Sequence, residues 1–185
     1  MVRKSALSLI ISLLFFCLNT RAASFYTGLN YTFAGVVSED DIYNGAYHWD
    51  PGIILGVQFG RLTLDSQIKQ LHMKKDYEKD GAQFVIEVDS LFLSSGIRLE
   101  VMPFITFNLG VNYQNVDSRY RSINSNKFIN GLPDNHYISY YIGGGFAGEV
   151  FPNILGRVDI NYYRGDQKYG LLTLELALAY KLITF

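Results

Sequence analysis

The side chains best suited to catalysis are three histidines, His48, His72 and His136. Hydrolysis of an acyl bond needs an imidazole within hydrogen-bond reach of a serine and an acid. His136 and Ser139 are an odd number of positions apart, so they lie on opposite faces of an extended strand. His72 has Ser66 on its own face but no acid to complete the set, and His48 falls in a predicted loop. The histidines therefore favour a protein without catalytic activity.

A second set of residues carries charges on the polar face of segments in which apolar and polar residues alternate. Burying a charge costs several kcal/mol unless it is paired and hydrogen-bonded, so we expect a connected network of ion pairs. Two pairings follow from the predicted turns: Glu149 beside Arg157 across "FPN", and Asp159 opposite Glu175. The set is Asp65, Lys69, Arg98, Glu100, Glu149, Arg157, Asp159 and Glu175.

A third set lies in a polar segment, residues 115–136, where cations alternate with aromatic residues. Loops on a rigid scaffold often carry binding residues, so this segment is a candidate for adhesion to a host or envelope ligand. The alternative is a solvated loop without a partner. The candidates are Arg119, Tyr120, Arg121, Lys127 and Phe128.

Composition excludes several other functions. The net charge of −1 gives no electrostatic footprint for nucleic acid. The one cysteine, Cys17, cannot form an internal disulfide or a thiolate metal site. The acidic run "SEDD" at residues 38–41 favours a solvated loop over a calcium site. We therefore predict neither a cofactor nor a metal.

The beginning of the sequence predicts export. Arg3 and Lys4 precede an apolar run at residues 6–18 that is too short to cross a bilayer as a helix. A small-residue stop follows, with cleavage expected after Ala22. Residues 1–22 are thus predicted to be a signal peptide and residues 23–185 a single domain.

Alternation with a period of two residues recurs through that domain, and no sustained helical period interrupts it. The last segment sets Leu172, Leu174, Leu176, Leu178, Tyr180 and Leu182 against Thr173, Glu175, Ala177, Ala179 and Lys181. About eight such strands are predicted. Their connections alternate between tight turns ("GR", "VMP", "FPN") and long polar loops (38–49, 74–83, 115–136, 164–170).

Alternation alone does not say which face is buried. The loop lengths, the glycines of the polar faces and the aromatic residues near strand ends all favour a barrel with lipid outside and polar side chains inside. The predicted fold is all-β: an eight-stranded antiparallel transmembrane β-barrel in an up-and-down meander. Eight strands enclose a space that side chains just fill, so the lumen should carry no large pore.

The chain resembles the small eight-stranded bacterial outer-membrane barrels of the OmpA membrane domain and OmpX/Ail type. The resemblance covers the whole predicted domain and rests on the signal peptide, the paired strands with alternating connections and the terminal aromatic Phe185. It implies an outer-membrane location, contact with lipid and lipopolysaccharide, a monomer, and recognition by the outer-membrane assembly machinery. The assembly signal would comprise Tyr180, Leu182 and Phe185, with a bulge near Ile183 to bring Phe185 into the lipid-facing alternation.

The predicted function is therefore a non-enzymatic outer-membrane barrel with a structural or surface-interaction role. Two alternatives remain, an outer-membrane enzyme acting on lipid A and a small-solute channel. A soluble lipocalin-type barrel is disfavoured because the early Gly-x-Trp pattern is missing.

Overall fold

A computed structural model of the chain describes residues 23–38, 47–79, 82–122, 128–130, 135–164 and 169–184. The predicted signal peptide, residues 1–22, lies outside these ranges and stays a prediction. Within them, eight long strands and one three-residue strand alternate with turns. The strands are β1 (Ala23–Ser38), β2 (Tyr47–Phe59), β3 (Leu62–Lys79), β4 (Ala82–Met102), β5 (Ile105–Ser122), β6 (Phe128–Asn130), β7 (Asn135–Phe151), β8 (Ile154–Arg164) and β9 (Tyr169–Thr184).

The eight long strands pair in chain order and close into a ring, because β9 pairs with β1. All pairs are antiparallel, so the predicted up-and-down barrel is confirmed. Following partners from Tyr26 around the ring leads back to β1 at Val36, ten residues further on (36 − 26). With eight strands, this stagger corresponds to a strand tilt of about 41°.

The two faces of the strands differ as the alternation predicts. Along β9, Leu172, Leu176 and Leu178 point outward and are exposed, whereas Thr173 and Glu175 point inward and are buried. Outward aromatic residues form a girdle near each end of the barrel. The loop-side girdle includes Trp49, Tyr113, Tyr140 and Tyr162, and the turn-side girdle includes Phe25, Phe104, Phe151 and Tyr180.

This exposed apolar surface surrounds the barrel between the two girdles. A water-soluble protein does not expose so large a contiguous apolar area, whereas lipid is a suitable solvent for it. Among the described residues, no helix is long and apolar enough to span a membrane.

Three tight turns connect the strands at one end. Gly60 and Asn153 adopt positive φ angles of 59° and 63°, which glycine and asparagine tolerate well. Phe104 does the same with φ 69°, and its carbonyl accepts the Ala147 N–H at 2.9 Å. A Cβ at Gly148 would meet the Phe104 ring, so that glycine leaves room for the aromatic side chain.

At the opposite end of the barrel, one prediction was wrong. Residues 74–83 were predicted to form a long loop, but β3 continues to Lys79 and β4 begins at Ala82. Residues 115–122 likewise belong to β5. Lys74 and Glu87 are cross-strand partners there and form an ion pair at 3.6 Å, which stabilises an antiparallel pair by about 0.2–1 kcal/mol.

The last strand contains the irregularity that the sequence suggested. Lys181 pairs with Tyr26 and Ile183 pairs with Phe25, so Leu182 is an extra residue on β9. The bulge switches the alternation, and Ile183 is exposed. Phe185 itself lies outside the described residues.

Candidate functional site in the barrel lumen

Glycines on the inner face make room for large side chains that cross the lumen. A Cβ at Gly56 would meet the Tyr26 hydroxyl, and a Cβ at Gly96 or Gly110 would meet Tyr141. Tyr26 and Tyr141 are both buried. The glycine-rich polar faces of the sequence are therefore the complement of bulky residues on the strands beside them or one strand further.

Four charged residues from β3, β4 and β8 form a turn-end ion cluster: Asp65, Arg98, Arg157 and Asp159. Arg98 binds Asp159 through two hydrogen bonds of 2.6 and 2.8 Å, and its Nε lies 3.1 Å from Asp65. Arg157 Nη2 lies 3.0 Å from Asp65 and 3.4 Å from Asp159. All four side chains are buried, so each charge has a partner of opposite sign in a low-dielectric interior.

A second ionic contact joins Lys69 of β3 to Glu175 of β9. Lys69 Nζ lies 2.6 Å from Glu175 Oε1, and these residues are 1% and 2% exposed. The same carboxylate oxygen accepts from the Tyr163 hydroxyl at 2.9 Å and from Thr173 at 3.0 Å. Lys69 also lies 4.5 Å above the Tyr163 ring. Donors from three strands thus stabilise the buried carboxylate.

The loop-side part of the lumen is more apolar than the polar inner face that the sequence predicted, although bulky inward residues such as Phe92 and Tyr141 were expected. The structure instead places a loop-end apolar cluster there, in which Tyr141 stacks on Tyr163 with ring centroids 5.0 Å apart. Leu71 and Met73 point inward on the polar face predicted for β3. The cluster comprises Ala34, Val36, Leu71, Met73, Phe92, Tyr141, Tyr163 and Leu171.

The remaining two members of the predicted charge set lie at the turn end. The expected pairing of Glu149 with Arg157 is wrong: a bulge between Glu149 and Phe151 pairs Arg157 with Ala147 instead. Glu149 binds Lys181 at 2.9 Å and the Asn153 N–H at 2.8 Å. Glu100 is half-buried, and none of the described ion pairs includes it.

The Asp159–Glu175 juxtaposition occurs as the symmetric loop predicts. The two acids use different cations: Asp159 binds Arg98 and Arg157, and Glu175 binds Lys69. The structure therefore brings six of the eight predicted charges into two buried groups and leaves Glu100 and Glu149 at the rim.

The predicted binding segment lies beyond the loop-side girdle. Arg119 is exposed and pairs with Asp117 at 2.8 Å. In the backbone register, Tyr120 pairs with Ile129 and Arg121 with Phe128, so β6 forms a hairpin with the end of β5. Lys127 lies outside the described residues.

One of the three histidines, His72, has surroundings that the sequence did not predict. His72 Nδ1 contacts the Asp89 carboxylate, and the His72 N–H donates to Asp50 at 2.8 Å, so the imidazole does have an acid beside it. Ser66, on the same face, lies six residues along β3, about 20 Å away. His136 is exposed, whereas Ser139 accepts from Gln114 at 3.3 Å. No group of three or more potential metal-ligating side chains occurs within the described ranges.

Several solved structures share this fold. A major outer membrane protein of Thermus thermophilus is 14% identical with a TM-score of 0.61, over 86% of this chain and 99% of that chain. Ail, the attachment invasion locus protein of Yersinia pestis, was solved in complex with the heparin analogue sucrose octasulfate. It is 11% identical with a TM-score of 0.57, over 88% of this chain and 100% of that chain. The outer membrane protein OprG of Pseudomonas aeruginosa is 10% identical with a TM-score of 0.56, over 88% of this chain and 97% of that chain.

No family model and no curated protein matches the chain. At these identities the structural likeness establishes the fold alone, and the predicted resemblance to small eight-stranded barrels is confirmed at that level. A closed barrel with an apolar belt is a membrane-spanning structure, and barrels of this type occupy outer membranes.

Proposed function

We propose that the chain is a non-enzymatic protein of the bacterial outer membrane, whose interior is closed to solutes and whose loop-side strands take part in surface interactions. The observation that carries the proposal is the filled lumen. Eight strands leave little more than the volume of their own side chains, and here paired charges and aromatic rings occupy it at successive levels.

Closure is supported by two different kinds of barrier. The turn-end ion cluster holds its charges in buried pairs, and a permeating ion would have to break them. The loop-end apolar cluster, with Leu71 and Tyr163 fully buried, consists mainly of hydrocarbon, so an ion entering it would lose most of its hydration without compensation. The channel alternative requires that both layers open together.

The absence of catalysis is supported by the histidine environments. His72 and Asp89 form a pair on the outer wall, and Ser66 lies six residues away along β3, about 20 Å from His72. His136 and Ser139 lie on opposite sides of the barrel wall. Acyl transfer needs these groups within hydrogen-bond reach of one another, and neither His72 with Ser66 nor His136 with Ser139 meets that condition.

A surface-interaction role is supported by the strands that continue past the loop-side girdle. They carry the exposed Arg119 and, in the hairpin of β5 and β6, Tyr120, Arg121 and Phe128. Because the structure of Ail with sucrose octasulfate shows that a protein of this fold was solved with a sulfated ligand, heparin is a suitable first probe here.

Binding is tested on whole cells and on purified protein against heparin, matrix proteins, complement regulators and lipopolysaccharide. Replacing Arg119, Arg121 and Lys127 with Gln should weaken heparin binding and flatten its salt dependence. The matched control replaces Lys74 and Lys75 with Gln on β3. Equal losses for both variants, or no binding to any probe, would refute the surface-interaction role.

We further propose that the chain is a monomer and that its last strand is read by the outer-membrane assembly machinery. Tyr180 and Leu182 are exposed on the outer face, and the bulge at Leu182 sets the register for the residues that follow. Replacing Tyr180 and Phe185 with Ala should lower the yield in membranes in cells but not refolding into detergent. Loss of refolding as well would indicate a structural role instead.

A further inference from the structure

A cavity of about 270 Å³ opens at the turn end of the lumen. Arg98 and Arg157 of the turn-end ion cluster line it, and further charged side chains lie around its mouth: Arg61, Glu100, Glu149 and Lys181. The loop-end apolar cluster lies on the far side of the ion cluster, toward the other end of the barrel. The cavity is therefore accessible from the turn side.

Most hydrogen-bond acceptors around this cavity are already used. Glu149 accepts from the Asn153 N–H through one carboxylate oxygen and from Lys181 through the other. Both oxygens of Asp159 accept from Arg98. Asp65 Oδ1 has no hydrogen-bond partner among the described atoms, but Asp65 does not line the cavity. Glu100 is thus the one lining carboxylate outside the described ion pairs.

Donors, in contrast, remain available. Arg157 is 5% exposed, and its Nε has no hydrogen-bond partner among the described atoms. Its Nη1 reaches the Tyr26 hydroxyl only at 3.4 Å. Leaving a buried charged donor unsatisfied is costly, and a guanidinium presents planar donors that match the oxygens of phosphate or carboxylate. Arg61, exposed at the mouth, adds a second cation, and unlike Arg157 it belongs to none of the described ion pairs.

We propose that this cavity binds a small free oxyanion of the phosphate class, with Arg157 as the buried donor and Arg61 as the cation at the mouth. The volume suits one such ion with several waters, since a water occupies about 30 Å³. Glu100 opposes binding by like-charge repulsion. The site is independent of the proposed surface interactions, which lie at the opposite end of the barrel.

The test follows the Arg157 Nε–H resonance by NMR in maltoside micelles, since phosphocholine detergents carry phosphate themselves. Titration with inorganic phosphate should shift this resonance saturably. Titration with chloride at equal ionic strength should not. An absent shift, or an equal shift with chloride, would overturn the proposal.

Two variants at the mouth of the cavity should change the affinity for phosphate in opposite directions. Arg61→Gln should weaken phosphate binding and Glu100→Gln should tighten it, each by about fivefold or less, as expected for partly exposed charges. Gel migration of unboiled samples checks that both variants fold. Lys74→Gln, at the loop end, is the matched control and should leave the affinity unchanged. Affinity changes of the same sign at Arg61 and Glu100 would contradict the assignment.

A final arm separates a free ion from a lipid headgroup. In nanodiscs containing phosphatidylglycerol, the Arg157 Nε–H should retain its phosphate-free position until inorganic phosphate is added. A resonance already shifted in the nanodisc, with no further response to phosphate, would assign the cavity to lipid and refute the free-ion proposal.

Discussion

Removal of the buried ammonium in Lys69→Met should destabilise the barrel strongly. Glu175 loses its 2.6 Å contact with Lys69 and keeps only the hydrogen bonds from Tyr163 and Thr173. Breaking a buried pair by removing one partner costs about 3–5 kcal/mol, and the two retained donors place the expected loss at about 3 kcal/mol. With a urea m-value of about 2 kcal/mol/M, the unfolding midpoint should fall by about 1.5 M.

The assay is urea unfolding of the refolded protein in lipid vesicles, followed by the fluorescence of Trp49. That side chain packs against Phe33 in the loop-side girdle with ring centroids 4.9 Å apart, so its emission reports whether the barrel is intact. The matched control is Lys74→Met, which removes an exposed pair with Glu87 at 3.6 Å and should cost less than about 1 kcal/mol.

The double variant Lys69→Met with Glu175→Gln should recover much of the lost stability, because no uncompensated charge remains in the lumen. The reasoning is refuted if Lys69→Met lies within about 1 kcal/mol of the wild type. It is also refuted if the double variant is less stable than Lys69→Met, since the cost would then reflect lost packing instead of an unpaired carboxylate.

The remaining predictions concern the closed barrel, its two faces, the turn-end ion cluster and the filled lumen. Unboiled and boiled samples should migrate differently in SDS gels, because a closed barrel resists detergent unfolding; identical migration would argue against a membrane barrel. Leu176→Arg, on the lipid face, should cost about 2–4 kcal/mol and lower the membrane yield far more than the inward Ala177→Ser, and equal yields would mean that the faces are reversed. Arg157→Ala should lower the urea midpoint because it removes one of the two arginines beside Asp65 and Asp159; an unchanged midpoint would make that arginine dispensable. Planar-bilayer recordings of the wild type should show at most small, rare conductances, and a sustained porin-like current would move the function to a channel.

Much of the architecture was accessible from the sequence because it depends on local alternation. Side chains two residues apart share a face of a strand, so the stripe from Leu172 to Leu182 identified one apolar face, and the loop lengths and the aromatic residues near strand ends favoured lipid as its surroundings. The tight turns at Gly60 and Asn153 and the exposed aromatic residues at both ends follow from residue types close together in the chain. The same local rule indicated that a bulge near Ile183 was needed.

Other features were not predicted because they depend on strand pairing. Residues 74–83 are polar and resemble a loop, yet the β3–β4 ladder continues from Lys74–Glu87 to Lys79–Ala82, because backbone pairing does not require apolar side chains. The acid beside His72 was missed because Asp89 is brought there only by strand pairing. The Glu149–Arg157 pairing was wrong because the register places Leu155 opposite Glu149 and Ala147 opposite Arg157, and Glu149 binds Lys181 instead.

The arrangement inside the lumen was decided by the tertiary structure. Alternation shows that Arg98 and Asp159 both point inward, but they lie 61 residues apart and meet across the barrel. Which inward residues lie at the same height along the barrel axis depends on the ten-residue stagger around the closed ring. That stagger is a property of all the strand pairs together and cannot be read from one strand. That stagger brings Leu71, Val36 and Leu171 together as the loop-end apolar cluster, and it places the charges of β3, β4, β8 and β9 where each buried ion finds its partner.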